Sequence, residues 1–250
     1  MKTRKRFGQH FLHDPAVLRR IIDAIDPAPG DKVVEIGPGQ GALTRALLER
    51  LDRLTAIEID RDLAAGLARE FAPQRLAVVV ADVLEHDFSA YPPGLRVVGN
   101  LPYNISTPIL FHLARHAHRV RDLHFMLQRE VVERMVAKPS TPDYGRLSVM
   151  LQVRFTMQKL FTVAAGAFRP PPKVESAVVR LVPLPDISIP EDFANIVRKA
   201  FSARRKTLRN ALGLSPCDFD KLVLDPKLRP ENLSPADYVR IAHHVQSSSH

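Results

Sequence analysis

Hydrophobic and polar positions along residues 31–182 fall into two alternating patterns. Short runs rich in β-branched residues, Lys32–Ile36, Leu54–Ile59, Leu76–Val80, Arg96–Val98 and Leu123–Leu127, read as strands. Between them, apolar residues recur every three or four positions in Leu43–Leu51, Leu63–Phe71, Ile109–Ala117 and Val131–Val136, which read as helices. Strands this short and apolar, separated by helices, predict an α/β fold with a Rossmann-like parallel sheet covered on both faces. The pattern then changes. Arg154–Val163 and Ala177–Val182 read as two strands joined by a Pro-rich loop without a long helix, so an antiparallel pair is expected at the sheet edge. Three prolines among the eight residues from Pro183 to Pro190 break periodicity and predict a linker over 184–190. Residues 191–245 are helical in pattern, with starts at Ser215-Pro and Ser234-Pro-Ala-Asp, and the short polar Ser-Ser-Ser-His tail is expected to be disordered. The expected organisation is a first domain over 1–183, opening with an arm and helix over 1–30, and a small helical domain over 191–250.

Composition narrows this only a little. Hydrophobic residues make up 45% and charged residues 25% of the 250, enough to bury a core. No run approaches the roughly 18–20 apolar residues of a membrane span, and no signal-peptide core follows the basic N-terminus. A single cysteine, Cys217, excludes an internal disulfide framework, points to a reducing cytoplasmic setting and reads as a packing residue.

Charge changes the picture more. The net charge of +9 favours a polyanionic partner, because Lys and Arg at phosphates release condensed counterions. Residues 1–20 hold six Lys/Arg against one acid, including Arg4, Lys5 and Arg6, and Arg198–Arg209 holds six more with no acid. At about 100° per residue, Val197, Phe201, Leu208 and Leu212 form an apolar stripe. Arg198, Lys199, Arg205, Lys206 and Arg209 cover the adjoining face. A helix docked by the stripe would present its basic face to nucleic-acid phosphates; a merely solvated face is the alternative.

The most informative local segment is Val34-Glu-Ile-Gly-Pro-Gly-Gln-Gly-Ala-Leu43, which leaves the first predicted strand of the sheet and opens a helix. Gly37, Gly39 and Gly41 let the backbone turn tightly and approach a ligand, and ligands of open α/β sheets bind beyond the strands' carboxyl ends. Gly37-x-Gly39-x-x-Ala42 also satisfies a relaxed dinucleotide fingerprint. Glu35 before glycines spaced by two matches the E-x-G-x-G-x-G form of S-adenosylmethionine methyltransferases, and no hydride chemistry suggests itself downstream. Glu58, ending the next strand, is placed to accept from ribose hydroxyls of either cofactor. Asp82, ending the one after, is placed to accept from an adenine amino group.

After the fourth of these strands comes Gly99-Asn-Leu-Pro-Tyr-Asn104, whose Asn-Leu-Pro-Tyr resembles the (D/N)-P-P-Y motifs of enzymes that methylate exocyclic amino groups. Adenine N6 is a poor nucleophile because its lone pair is delocalised into the ring. The Asn100 side-chain oxygen and the Leu101 carbonyl can accept its two hydrogens, drawing the nitrogen toward tetrahedral geometry. Pro102 biases Leu101 to an extended backbone. Tyr103 is placed to stack on a flipped base, worth roughly 1–3 kcal/mol.

Further segments extend the likeness over nearly the whole chain: Arg4-Lys-Arg-Phe-Gly-Gln-His-Phe-Leu12, Asn100–Pro108, Tyr144-Gly-Arg-Leu-Ser148, Phe168-Arg-Pro-Pro-Pro-Lys-Val174 and Phe201–Asn210. With them the chain resembles the small-subunit ribosomal RNA dimethyladenosine transferases. The resemblance implies dimethylation of two adjacent adenosines in the 3′-terminal hairpin of small-subunit rRNA, with S-adenosyl-L-methionine as cofactor. It implies a role in small-subunit biogenesis, with the immature subunit as partner; a monomer is expected because an RNA-guided enzyme needs no partner subunit. By the same resemblance His10 and Leu12 cap the cofactor, Gly37, Gly39, Glu58 and Asp82 bind it, Asn100 bridges cofactor and base, and Phe168 joins Tyr103 in sandwiching the base. The family usually has Asn where this chain has His10, which leaves the side-chain contact open and backbone atoms as the alternative.

Two other readings stand beside this one. A large-subunit rRNA adenine methyltransferase of the antibiotic-resistance type would share the chemistry, and a non-catalytic RNA-binding assembly factor could share the fold. The ten histidines lack the convergent ligands of a zinc site, so no metal is expected; His112, His116 and His118 read as a partly exposed helix face.

Overall fold

A computed structural model describes residues 10–185 and 188–248, so Arg4, Lys5 and Arg6 lie outside the described residues. In chain order the elements are β1 (Phe11–Leu12), α1 (Pro15–Ile25), β2 (Val33–Ile36), α2 (Ala42–Leu48), β3 (Leu54–Glu58), α3 (Arg61–Glu70) and β4 (Leu76–Val80). There follow β5 (Leu95–Asn100), α4 (Ser106–Ala114), β6 (Val120–Gln128), α5 (Arg129–Val136), α6 (Arg146–Gln152), β7 (Phe155–Val163), β8 (Phe168–Arg169) and β9 (Ser176–Pro183). The last are α7 (Phe193–Ser202), α8 (Leu208–Leu212), α9 (Pro216–Leu222) and α10 (Pro235–Ser248), which runs through Ser247 and Ser248 of the tail expected to be disordered.

Residues up to Val132 together with Thr156–Pro183 form one compact unit, and Glu133–Phe155 together with the chain from Leu184 onward form another. The single boundary expected at 183 is therefore corrected. Residues 133–155 fall in the second unit because Tyr144, Val149 and Val153 share a core with Phe193, Val197, Leu208 and Tyr238. Two buried tyrosines brace that core, each donating to a carbonyl at 2.8 Å: Tyr144 Oη to Leu233 and Tyr238 Oη to Pro230. The predicted helix starts are real. Ser215 caps α9, exchanging bonds with Asp218, and Ser234 does the same with Asp237 ahead of α10.

In the first unit seven strands pair in the order β4-β3-β2-β5-β6-β9-β7. From β4 to β6 neighbours run parallel, and β9 runs antiparallel to β6. Alternation along each strand buries both faces. Val33, Leu54, Ala56, Val98, Met126 and Val178 pack with Ile21, Ile22 and Ile25 of α1 and Leu43 and Leu47 of α2. Their neighbours Val34, Ile36, Val97, Leu123 and Phe125, at most 2% exposed, face the opposite side. The chain leaves β2 toward β3 and β4 and returns on its other side at β5, so a crevice opens at the carboxyl ends where the order reverses.

At the amino end of β5 a buried arginine ties this layer down. Arg96 makes two bonds to the Asp122 carboxylate, at 2.9 and 3.0 Å, and one to Asp31 at 2.7 Å. It also donates to the carbonyls of Ile25 and Asp26, groups that the end of α1 leaves without helical partners. Burial disfavours the Asp122 charge, but the neighbouring His124 ring, 3.6 Å away, and the bonds from Arg96 outweigh it and bring the carboxyl down to about 2.

The basic segment departs from its prediction as a single helix. Residues 203–207 form a turn between α7 and α8, and the Leu208 N–H donates across to the Leu228 carbonyl at 2.6 Å instead of back into a helix. Val197, Leu208 and Leu212 are buried as the stripe required, while Arg198, Lys199, Arg205, Lys206 and Arg209 are exposed. Cys217, expected to pack, is also exposed. Among the described residues no helix is long and apolar enough to cross a membrane.

Gly99 sets the spacing between β5 and β2, since a Cβ there would lie 2.5 Å from the Ile36 carbonyl oxygen. Gly99→Ala is expected to cost about 1–3 kcal/mol, because the obstacle is backbone and cannot rotate aside. Urea denaturation checks this; an unchanged midpoint would show that the strands separate freely.

Candidate active site

A cavity of about 390 Å³ lies at the carboxyl ends of β2 to β5, a volume ordinary for a small-molecule site. Its floor is the turn after β2, where Gly37, Gly39 and Gly41 have φ of 66°, 57° and 80°. A Cβ at Gly39 would come within 3.0 Å of the Phe11 ring, so β1 lies directly over the turn. β1 is held there by its antiparallel pairing with β8.

Three carboxylates border this floor. Glu58, ending β3, accepts from the Gly39 N–H at 3.1 Å and the Asp60 N–H at 2.9 Å, which fixes the turn and the carboxylate against each other. Burial nonetheless raises its pKa. Each of its oxygens keeps a lone pair for a ligand. Asp82 follows β4, and its Oδ1 accepts from the Leu84 N–H at 2.9 Å. Glu35, 2% exposed, is the least solvated: burial first, then the charge of Glu58, lift it to about 7 despite the bond from Thr44 Oγ1 at 2.6 Å.

The loop carrying Asp82 is fastened to α4 by an aromatic cluster. Phe88, fully buried, meets the rings of His86, His112 and His116, and His112 Nε2–H donates to the His86 carbonyl at 2.8 Å. Two of the three histidines read as a partly exposed helix face, His112 and His116, are half-buried in this cluster. Among the described residues no group of three or more His, Cys, Asp or Glu is placed to hold a metal ion.

The opposite wall is the Asn-Leu-Pro-Tyr segment. Asn100, ending β5, donates from Nδ2 to the His10 carbonyl at 2.9 Å. That bond assigns the two ends of the amide: with Nδ2 committed, Oδ1 is the end left to accept. The Leu101 N–H donates to the Met126 carbonyl at 3.2 Å, and the Tyr103 hydroxyl shares a 2.6 Å bond with Ser176 Oγ.

His10, Leu12, Gly37, Gly39, Glu58, Asp82, Asn100, Leu101 and Tyr103 all line this one cavity. Phe168 does not. Its ring is 1% exposed within the hydrophobic cluster on the α1 side of the sheet, and it stands opposite Leu12, a cavity-lining residue, in the β1–β8 pairing. The exposed basic residues of α7, α8 and their turn belong to the other unit. Sequence reasoning missed His124, which lines the cavity at 3% exposure and finds no hydrogen bond for either ring nitrogen among the described residues. Its signal was available: Asp122, His124 and Met126 alternate with Leu123, Phe125 and Leu127, a partly polar face on a central strand.

Comparison with known proteins decides what this site belongs to. A sequence model described as "Ribosomal RNA adenine dimethylase" matches residues 1–247. The chain belongs to the ribosomal RNA adenine dimethylase family. Similar members include the ribosomal RNA small subunit methyltransferase A of Aromatoleum aromaticum, 58% identical over 99% of this chain and 96% of that one. That of Thiobacillus denitrificans is 57% identical over 95% and 96%. Among solved structures, a dimethyladenosine transferase from Plasmodium falciparum superposes with a TM-score of 0.83 at 25% identity, covering 96% of this chain and 98% of that one. The 23S rRNA methyltransferase ErmE gives 0.72 at 26%, covering 94% and 99%. As an adenine dimethylase the protein is an S-adenosyl-L-methionine-dependent enzyme of the class I methyltransferase fold. The cavity suits that cofactor, offering carboxylates at two adjacent strand ends and a glycine floor that admits close approach.

The buried Glu35 makes a pH-dependent prediction. Because folding raises its pKa from the ordinary 4.5 to about 7, the fold favours the protonated carboxyl. The stability this lends is full below 4.5 and is lost as pH rises through 7. Glu35→Gln, which keeps an acceptor for Thr44, is expected to exceed the parent by about 1–3 kcal/mol near pH 8 and to lose that advantage near pH 4. Denaturation midpoints at the two pH values check it; the same difference at both would contradict it.

Proposed function

We propose that the protein dimethylates the N6 amino groups of two adjacent adenosines in the 3′-terminal hairpin of small-subunit rRNA. It acts as a single chain, in the cytoplasm, on the immature subunit. The observation that carries this reading is the orientation of Asn100, whose Nδ2 bond to His10 leaves Oδ1 as an acceptor on the cavity wall. An amino group is the ligand such an acceptor suits. The 56–58% identity to proteins named ribosomal RNA small subunit methyltransferase A favours the small subunit over the 23S rRNA of the structurally similar ErmE.

The bound cofactor supplies an electrophilic methyl group on a cationic sulfonium. Glu58 accepts from the ribose hydroxyls and Asp82 from the adenine amino group, while backbone atoms of Gly37 and Gly39 line the floor and His10 and Leu12 cap the site from above. Asn100 Oδ1 and the Leu101 carbonyl take the two N6 hydrogens of the target, freeing the nitrogen lone pair. Tyr103 stacks on the extruded base. The methylated amine is acidic enough to lose its proton to water, so positioning and electrostatics suffice without a general base. Arg198, Lys199, Arg205, Lys206 and Arg209, with Arg4, Lys5 and Arg6, hold RNA phosphates.

Asn100→Ala is expected to slow methyl transfer by about 100-fold or more while RNA affinity stays within about 2-fold, since phosphates dominate affinity. Radiolabelled methyl incorporation and filter binding test this; full turnover would remove Asn100 from the mechanism. Replacing Arg205 and Lys206 together by Ala should lower the slope of log affinity against log salt by about 1–2, and an unchanged slope would dismiss the α7–α8 turn as a contact. Mass spectrometry of small-subunit rRNA from cells with and without the protein tests the substrate itself.

A further inference from the structure

We propose that the Arg45–Glu70 ion pair is a positioning device for the cofactor: Glu70 of α3 aims Arg45 of α2, and Arg45 holds the glycine turn in the shape that receives the ligand. The proposal rests on the family's dependence on S-adenosyl-L-methionine and is independent of which RNA is methylated. Arg45 Nε and Nη2 each donate to one oxygen of the Glu70 carboxylate at 2.6 Å. The remaining arm, Nη1, donates to the Gln40 carbonyl at 2.9 Å. Gln40 sits inside the turn and lines the cavity, whereas Arg45 and Glu70 do not border it.

The two side chains are 47% and 40% exposed. A pair so exposed ordinarily contributes little, because solvent screens it and two long side chains must be ordered. This one is a planar two-pronged fork whose third prong bonds backbone, so Glu70 fixes the direction in which Arg45 meets the turn. The guanidinium also lies against the end of the turn: a Cβ at Gly41 would be 3.5 and 3.6 Å from Arg45 Nη1 and Nη2. The same Cβ would be 2.7 Å from Leu67 Cδ2. Leu67 and Glu70 are one helical turn apart on α3, so one face of that helix bears on the glycines twice, directly and through Arg45.

The turn needs such a brace. Its three glycines have positive φ and no side chains to hold them there, so the backbone has many other shapes open to it. On the cavity side Glu58 accepts from the Gly39 N–H, but Glu58 is also a carboxylate that faces the ligand. On the far side Arg45 grips the next residue, and ligand entry leaves that bond alone. A ligand that fits one shape of the turn loses affinity in proportion to the time the turn spends in others.

Calorimetric titration with S-adenosylhomocysteine, the demethylated form of the cofactor, reads the brace without turnover, at a temperature where circular dichroism shows each variant fully folded. Arg45→Ala is expected to weaken binding about 3–10-fold, the range for one lost hydrogen bond, and Glu70→Gln, which keeps an uncharged acceptor, about 2–4-fold. Arg45→Lys keeps the charge without the fork and should not restore the parent's affinity. Because Glu70 acts through Arg45, adding Glu70→Gln to Arg45→Ala should change nothing further. An Arg45→Ala affinity equal to the parent's, even beside a lowered urea midpoint, would reduce the pair to a fold-stabilising contact and overturn the proposal. So would Arg45→Lys binding as well as the parent, or a Glu70→Gln loss that persists undiminished once Arg45 is gone.

Discussion

Where β5 passes β2, only a hydrogen atom of Gly99 fits against the carbonyl of Ile36. That contact brings the end of β5 beside the start of the glycine turn, so the amide of Asn100 and the backbone of Gly37 border the same cavity. Parallel pairing extends the arrangement sideways, with Glu35 opposite Val98 and Glu58 opposite Val80, so Glu58 and Asp82 follow in step. Four residues far apart in sequence share one crevice because four strands run the same way at one register.

The other half of the site depends on a much shorter structure. β1 and β8 have two residues each, yet they lay Phe11 over Gly39, bury Leu12, and hold the adjoining His10, whose carbonyl orients Asn100. The rigid sheet positions the carboxylates, while a small ribbon fixes which end of the Asn100 amide is left to accept. Any change that loosens the ribbon would act on the reaction without touching a sheet residue.

The strands of the seven-stranded sheet were legible in the sequence to within three residues, because a strand buried on both faces must be apolar throughout; Leu76–Val80 coincides with β4, whereas the two-residue β1 and β8 left no such signal. The cavity residues were legible because turns and strand ends are local features. Non-local pairing was not. The aromatic at 168 is hidden by a partner more than 150 residues earlier, and the apolar residues of 133–155 do not say which of two cores they will join. The basic helix failed for a related reason: the apolar stripe keeps its period across a turn whose position is set by the distant Leu228 carbonyl. Nor does the composition of E-x-G-x-G-x-G reveal that Glu35 is desolvated enough to hold its proton near neutrality.

The interleaving of the two units has a consequence for synthesis. Tyr144, Val149 and Val153 leave the ribosome well before Phe193, Leu208 and Tyr238, the residues that enclose them. Until some ninety residues more have been translated, the nascent chain carries an apolar segment with no native place to go. It would be a natural target for chaperones. A gene cut at codon 183 would leave that segment permanently without its partners.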